Sequence, residues 1–149
     1  INFHFAGKFF SKKEYIFFLK YIKENNLNNV KYYGVVDGNQ KKALFVKSDI
    51  FILPTYYHIE GQPISLIEAM ANGLTVITTN HAGIPDIVSE KNGFIIEPKN
   101  EKAIEKVLLE LSGDIKQLKD IALFNRKYVN SKFKEIDYIK RLEKIFKEV

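Results

Sequence analysis

Apolar and polar positions follow two rhythms along this chain. NFHFAG (2–7), NVKYYG (29–34), DIFILPT (49–55), LTVITT (74–79) and NGFIIEP (92–98) are short runs rich in β-branched and aromatic residues, and each has the length of a strand. Between them the apolar spacing changes to three and four. In SKKEYIFFLKYIKEN (11–25), Tyr15, Phe18, Leu19 and Ile22 fall on one stripe, which predicts a helix. Ser11 followed by Glu14 is the signature of a reciprocal cap at its start. KKALFVKSD (41–49), ISLIEAMANG (64–73) and NEKAIEKVLLELSG (100–113) read as further helices, the second stopped by Gly73. The nearly continuous apolar run at 49–55 suits a central parallel strand buried on both faces, and 74–79 reads as another buried strand.

Strand and helix in alternation predict an α/β fold, a Rossmann-like parallel sheet with helices on both faces. Such sheets bind ligands beyond the carboxyl ends of their strands. That rule brings the loops 7–11, 34–39 and 54–63 to one edge. The pattern divides near residue 113 into a sheet domain, 1–113, and a helical tail, 114–149, that packs on it through Ile115, Leu118, Ile121, Ala122 and Leu123. Near the end, Tyr138, Leu142, Ile145 and Phe146 make a stripe beside Lys140, Arg141, Lys144 and Lys147. Packing against protein is the expected state of that stripe. Left exposed, it would form a basic amphipathic surface suited to an anionic bilayer. The chain opens in a strand at Ile1 and its single methionine is Met70, which reads as a piece of a larger protein.

Composition narrows the function classes. The absence of cysteine excludes disulfides and thiolate metal sites. No apolar run reaches the length of a membrane span, and no signal-peptide pattern opens the chain. The expected location is the cytoplasm, with peripheral contact on the inner face of the membrane left open. The formal net charge is +5, and residues 114–149 hold ten Lys and Arg against six Asp and Glu. A solvated helical face is the plain explanation of that excess, and an anionic membrane surface is the sharper one. The bases are interleaved with acids and no nucleic-acid motif is present, so nucleic acid is not an expected partner.

The densest chemistry lies in PTYYHIEGQPISLIEAMAN (54–72), the loop after a central strand. Gly61 allows a backbone to approach a ligand closely. Pro63 suits the first helical position, so the N–H groups of Ile64, Ser65 and Leu66 lack helical acceptors and face outward at the positive end of the helix dipole. A phosphate is their natural partner. Glu60 and Glu68 bracket this site. One continuous helix would hold them about 12 Å apart on one face, but Gly61 and Pro63 rule that out. Glu60 is expected in the loop and Glu68 on the second helical turn, where a carboxylate can accept two sugar hydroxyls. The competing reading is local: Ser65-Leu66-Ile67-Glu68 fits a capping box, which would leave Glu68 closing its own helix and Glu60 as a surface acid. His58 is expected as a surface loop residue, and no acid or second histidine stands at a metal-ligand spacing from it.

These residues carry a resemblance. Pro54-Thr55, Glu60-Gly61-Gln62-Pro63, Glu68-Ala69-Met70-Ala71, Gly73-Leu74-Thr75-Val76-Ile77, Ala82-Gly83-Ile84-Pro85-Asp86, Asn92-Gly93-Phe94-Ile95-Ile96 and Pro98-Lys99-Asn100 stand in order between residues 54 and 100, and FHFAGK and NVKYYGVVDGNQKKALFVKSDIFILP upstream extend the match to roughly residues 2–112. The series resembles the donor-binding, C-terminal half of retaining glycosyltransferases of the GT-B fold, and more narrowly their large fourth family. The resemblance implies roles for individual residues. Glu68 would hold the ribose hydroxyls of a donor nucleotide, and Glu60 would lie beside the donor sugar as the catalytic residue. The backbone of Gly61, Gln62, Pro63, Ile64, Ser65 and Leu66 would hold sugar hydroxyls and diphosphate. Gly34 and Val35 would pack on the base, and Gly83 would lie near the sugar.

The resemblance further implies no metal and no cofactor beyond the donor, a UDP- or GDP-sugar. It implies transfer of a hexose to the hydroxyl of an acceptor glycan or glycolipid in surface polysaccharide or glycolipid synthesis, with the acceptor held by an N-terminal domain that this sequence lacks. The basic clamp on the diphosphate would also precede Ile1, so the isolated chain is expected to be inactive. Gly7-Lys8-Phe9, His81-Ala82-Gly83 and Asp86 depart from the family pattern, and His58-Ile59 reads as a small extension before Glu60. Two alternatives remain: a related UDP-sugar epimerase, and a non-catalytic nucleotide-binding module.

Overall fold

The computed structural model describes residues 1–147. The elements run β1 (Phe3–Phe5), α1 (Lys12–Glu24), β2 (Val30–Tyr32), α2 (Gly38–Val46), β3 (Ile50–Leu53), α3 (Ile64–Ala71), β4 (Thr75–Thr79), β5 (Gly93–Ile96), α4 (Glu101–Gly113), α5 (Ile115–Lys132) and α6 (Glu135–Lys147). The α/β alternation is the expected one, and every strand pair is parallel. The helix expected at 41–49 begins earlier, at Gly38, with Asp37 as its N-cap residue. The strands form two sheets where the pattern predicts one: β1–β2, and β3–β4–β5. The chain correspondingly falls into two compact units, Ile1–Lys47 and the residues from Ser48 onward.

In the first unit the reciprocal cap of α1 is formed: Glu14 N–H donates to Ser11 Oγ at 3.2 Å and Ser11 N–H to Glu14 Oε2 at 3.1 Å. Phe5, Phe9, Tyr15, Phe18 and Tyr32 cluster with ring centroids 5.2–5.9 Å apart. His4 and Tyr33 form a polar group of their own. Tyr33 Oη lies 3.1 Å from His4 Nδ1 and accepts from Lys47 Nζ at 2.8 Å. Partial burial, then the charges of Lys47 and Lys31, hold the His4 imidazole below its ordinary pKa.

In the second unit β4 is the central strand and all five of its residues are buried. β3 lies at the edge of its sheet with four half-buried residues, so the apolar run at 49–55 is not the doubly covered strand its composition predicts. The helix α3 ends in a Schellman turn. Gly73 takes φ +81°, its N–H donates to Met70 O at 2.9 Å, and Leu74 N–H donates to Ala69 O at 3.0 Å. That turn delivers the chain straight into β4.

The helix α5 packs on α3, α4 and β4 and belongs to the body of this unit. Its inward face differs from the expected one. Ile115 and Leu123 are exposed, Leu118, Ile121 and Ala122 are half-buried, and the buried positions are Asn125 and Val129. Leu123 lies off the arc set by 118, 121, 122, 125 and 129, and Ile115 stands at the first position of the helix, beyond its covered length. Of the stripe on α6, Tyr138, Ile145 and Phe146 are exposed and Leu142 is half-buried.

Candidate functional site

The loop between β3 and α3 follows β4 carbonyl by carbonyl. Thr78 Oγ1 donates to Leu53 O at 3.0 Å, and Thr79 Oγ1 donates to Thr55 O. His81 Nε2 lies 2.8 Å from Tyr57 O, and Gly83 N–H donates to Gly61 O at 3.2 Å. A carbonyl only accepts, so the His81 ring carries a proton on Nε2. Within the loop, Tyr57 N–H donates to Thr55 Oγ1 at 3.2 Å, and Glu60 N–H donates to Tyr57 O at 2.9 Å, closing a turn over His58 and Ile59. His58 is exposed, its ring edge-on to Tyr57.

Glu60 is half-buried, and Thr55 Oγ1 donates to its Oε2 at 3.1 Å. The carboxylate is therefore aimed by a residue that is itself tied to β4. Gly83 fits against this loop only as glycine: a Cβ there would stand 2.9 Å from Gln62 Cγ and 3.1 Å from Gly61 O. Its neighbour Ala82 sits in the left-handed region at φ +48°, a conformation that disfavours a Cβ. That strained residue lies between His81 and Gly83, the two that grip the loop. Gln62 reaches Asp86 Oδ2 with its Nε2 at 3.4 Å.

The start of α3 differs in register from the expectation. Pro63 is the N-cap residue, at φ −64° and ψ 113°, and the first helical residue is Ile64. A proline side chain accepts nothing, and Leu66 N–H is taken by Pro63 O at 3.0 Å. The N–H groups of Ile64 and Ser65 are left at the helix start without intrahelical acceptors. With Pro63 as cap, Ser65 stands inside the helix and the third helical position is Leu66. Ser65 and Glu68 are therefore out of register for a capping box. Glu68 is half-buried on the second turn, and the Leu66 side chain is fully buried.

The structure thus brings Glu60, Gly61, Gln62, Pro63, Ile64, Ser65, Glu68 and Gly83 together around one loop and one helix start. Gly34 and Val35 belong to the first unit. There Gly34 takes φ +69°, its carbonyl accepts from Gly7 N–H at 2.8 Å, and Val35 is exposed. Thr78, Thr79 and His81 escape a reading of the sequence as site residues. Their one signal is a pair of threonines closing an otherwise apolar strand, each needing an acceptor once buried.

With this geometry in hand, comparison with known proteins is decisive. The family model described as glycosyl transferases group 1 matches residues 1–128. The chain belongs to the group 1 glycosyl transferases. It is 29% identical to the amylovoran biosynthesis glycosyltransferase AmsK of Erwinia amylovora, over 80% of this chain and 31% of that protein. It is 28% identical to an Escherichia coli UDP-Gal:alpha-D-GlcNAc-diphosphoundecaprenol alpha-1,3-galactosyltransferase, over 96% of this chain and 43% of that protein. This group 1 chain therefore spans less than half the length of either relative. The crystal structure of Anabaena Alr3699/HepE in complex with UDP superposes with a TM-score of 0.88 at 18% identity, over all of this chain and 41% of that one. That likeness shows the fold, one half of the GT-B kind. Among the described residues no helix is long and apolar enough to cross a membrane.

Proposed function

We propose that the full-length protein transfers a hexose, with retention, from a UDP- or GDP-sugar to a hydroxyl of an acceptor glycan or lipid-linked glycan. One observation carries this reading: Glu60, aimed by Thr55, stands at the entrance to a helix whose first two amides, on Ile64 and Ser65, have no intrahelical acceptor. The Ile64 and Ser65 amides hold the diphosphate and take up the negative charge that grows on it as the glycosidic bond breaks. Glu60 faces the sugar. Glu68, on the second turn of α3 and out of register for a capping box, accepts the ribose hydroxyls. The charge is handled by amides and dipole, and the proposed reaction needs no metal: turnover should survive a chelator. The UDP bound to Alr3699/HepE and the UDP-Gal donor of the E. coli relative support a nucleotide-sugar. The 149-residue chain alone is expected to bind nucleoside diphosphate weakly and to transfer nothing.

Calorimetric titration of the full-length protein with UDP and GDP, beside turnover of the matching sugar donors, tests the assignment. Glu68→Ala is expected to weaken nucleotide binding about tenfold or more. Glu60→Ala is expected to lower turnover by about 10²–10³ with nucleotide binding retained. Unchanged affinity in the first variant or full turnover in the second rejects the roles. An epimerised donor would replace transfer with the epimerase reading, and nucleotide binding without either reaction would leave a binding module.

We propose in addition that α6 rests on an anionic bilayer. The exposed Tyr138, Ile145 and Phe146 lie on one arc, with Lys140, Arg141, Lys144 and Lys147 beside it, and the E. coli relative acts on an undecaprenol-linked acceptor. Co-sedimentation with anionic but not neutral vesicles, lost on reversing those four charges, is the expected result. No binding to either vesicle rejects it.

A further inference from the structure

The loop tip carries a feature that the donor site does not use. Its backbone is fixed at Thr55, Tyr57 and Gly61 by β4 and the segment after it, yet its side chains point into solvent: Tyr56 is 57% exposed, Tyr57 46% and Ile59 68%. Exposed aromatic side chains on a held backbone gain little from folding. They offer instead a rigid apolar face at low entropic cost, which is what a binding platform needs. A second, independent oddity lies beside it. Lys99, in the turn after β5, sits in the left-handed region at φ +59°, where a turn ordinarily uses glycine or asparagine. Its side chain spans the end of the sheet and places Nζ 4.8 Å from the centroid of the Tyr56 ring. A strained backbone that delivers an ammonium to an exposed ring points to a use for the pair.

We propose that Tyr56 and Lys99 form a saccharide subsite at the strand ends of this chain, for a ring that bears a phosphate or a carboxylate. The aliphatic face of the sugar lies on the Tyr56 ring, and the Lys99 ammonium pairs with the anionic substituent. The subsite sits at the strand ends, one residue from Thr55, which aims Glu60. This assignment rests on the transferase reading given above, and its test is separable from that reading. Purified full-length protein is titrated calorimetrically with N-acetylglucosamine 1-phosphate, methyl glucuronide and neutral methyl glucoside, each with and without saturating UDP. Wild type is expected to bind the two charged saccharides about tenfold more tightly than the neutral one. Lys99→Gln is expected to erase that preference, and Tyr56→Ala to weaken all three, while both variants keep the wild-type affinity for UDP. A preference for only one of the charged probes identifies the source as sugar phosphate or uronic acid. Equal binding of all three saccharides by wild type, no binding of any, or unaltered binding in both variants overturns the subsite. Absence of UDP and GDP binding in wild type overturns the donor reading instead, and the saccharide titration still decides the subsite. Tyr56→Phe, which keeps the ring, is expected to bind like wild type.

Discussion

Ala82 and Gly83 are neighbours with opposite demands. Gly83 lies against Gly61 and Gln62 and has no room for a Cβ, whereas Ala82 carries one in a left-handed conformation that disfavours it. Ala82→Gly should therefore leave stability unchanged or raise it by up to about 1 kcal/mol, since the relief of strain outweighs the added freedom of the unfolded chain. Gly83→Ala should lower stability by about 1–3 kcal/mol and shift the Glu60 loop. Thermal melts of the two variants check the contrast, and destabilisation by both would refute it. At this scale the sequence was half legible. Glu60, Gly61 and the amides at the start of α3 announce themselves, because a helix beginning after E-G-x-P has a local signature. The residues that hold them do not. Thr78, Thr79 and His81 meet the loop across 24 or 25 positions of sequence, and no local rule carries that far.

The same limit shows in α5. Its apolar spacing suggests a face through Ile115 and Leu123, but the side chain at the centre of its packing is an amide. Asn125 Nδ2 donates to Leu74 O at 2.7 Å and to Asn92 O at 2.9 Å, while its Oδ1 accepts from Asn92 Nδ2 at 2.9 Å. Asn92 Oδ1 accepts in turn from the N–H and the hydroxyl of Ser89. Both asparagines are fully buried, so this network ties α5 to the segments that lead into β4 and β5. Asn92 O would keep the Val76 N–H, but Asn125→Ala would strand Leu74 O and Asn92 Nδ2 and should cost about 2 kcal/mol or more, read as a drop in the denaturation midpoint. A loss below about 1 kcal/mol would mean that water replaces the amide. A hydrophobicity pattern cannot reveal such a helix, because its most buried residue counts as polar. Strand identity was easier to read than strand place: 49–55 and 74–79 look equally apolar, and only the pairing order makes β4 central and β3 an edge.

Over the whole molecule, burial is uneven. Phe45 is the single buried apolar residue of the first unit among those described, and the rest of the core lies beyond Ser48. Amide hydrogen exchange should accordingly be slowest in β4 and α3 and fastest in β1 and β2, with opening free energies in β4 close to that of global unfolding. Protection of β1 equal to that of β4 would contradict this. The alternation of strands and helices, and with it the α/β class, was legible from the apolar rhythm alone. The division into two sheets was not, since pairing between short strands is decided by packing rather than by composition. One consequence concerns how such a site changes over generations. The Glu60 loop takes its shape from Thr78, Thr79, His81 and Gly83, and the tip residues Tyr56, His58 and Ile59 contribute no backbone anchor to β4. A library randomised at those three tip positions should yield mostly folded proteins that differ in what they recognise, whereas one randomised at 79, 81 and 83 should yield mostly unfolded ones. The frame is inherited from a neighbouring strand, and the recognition surface is left free to diversify.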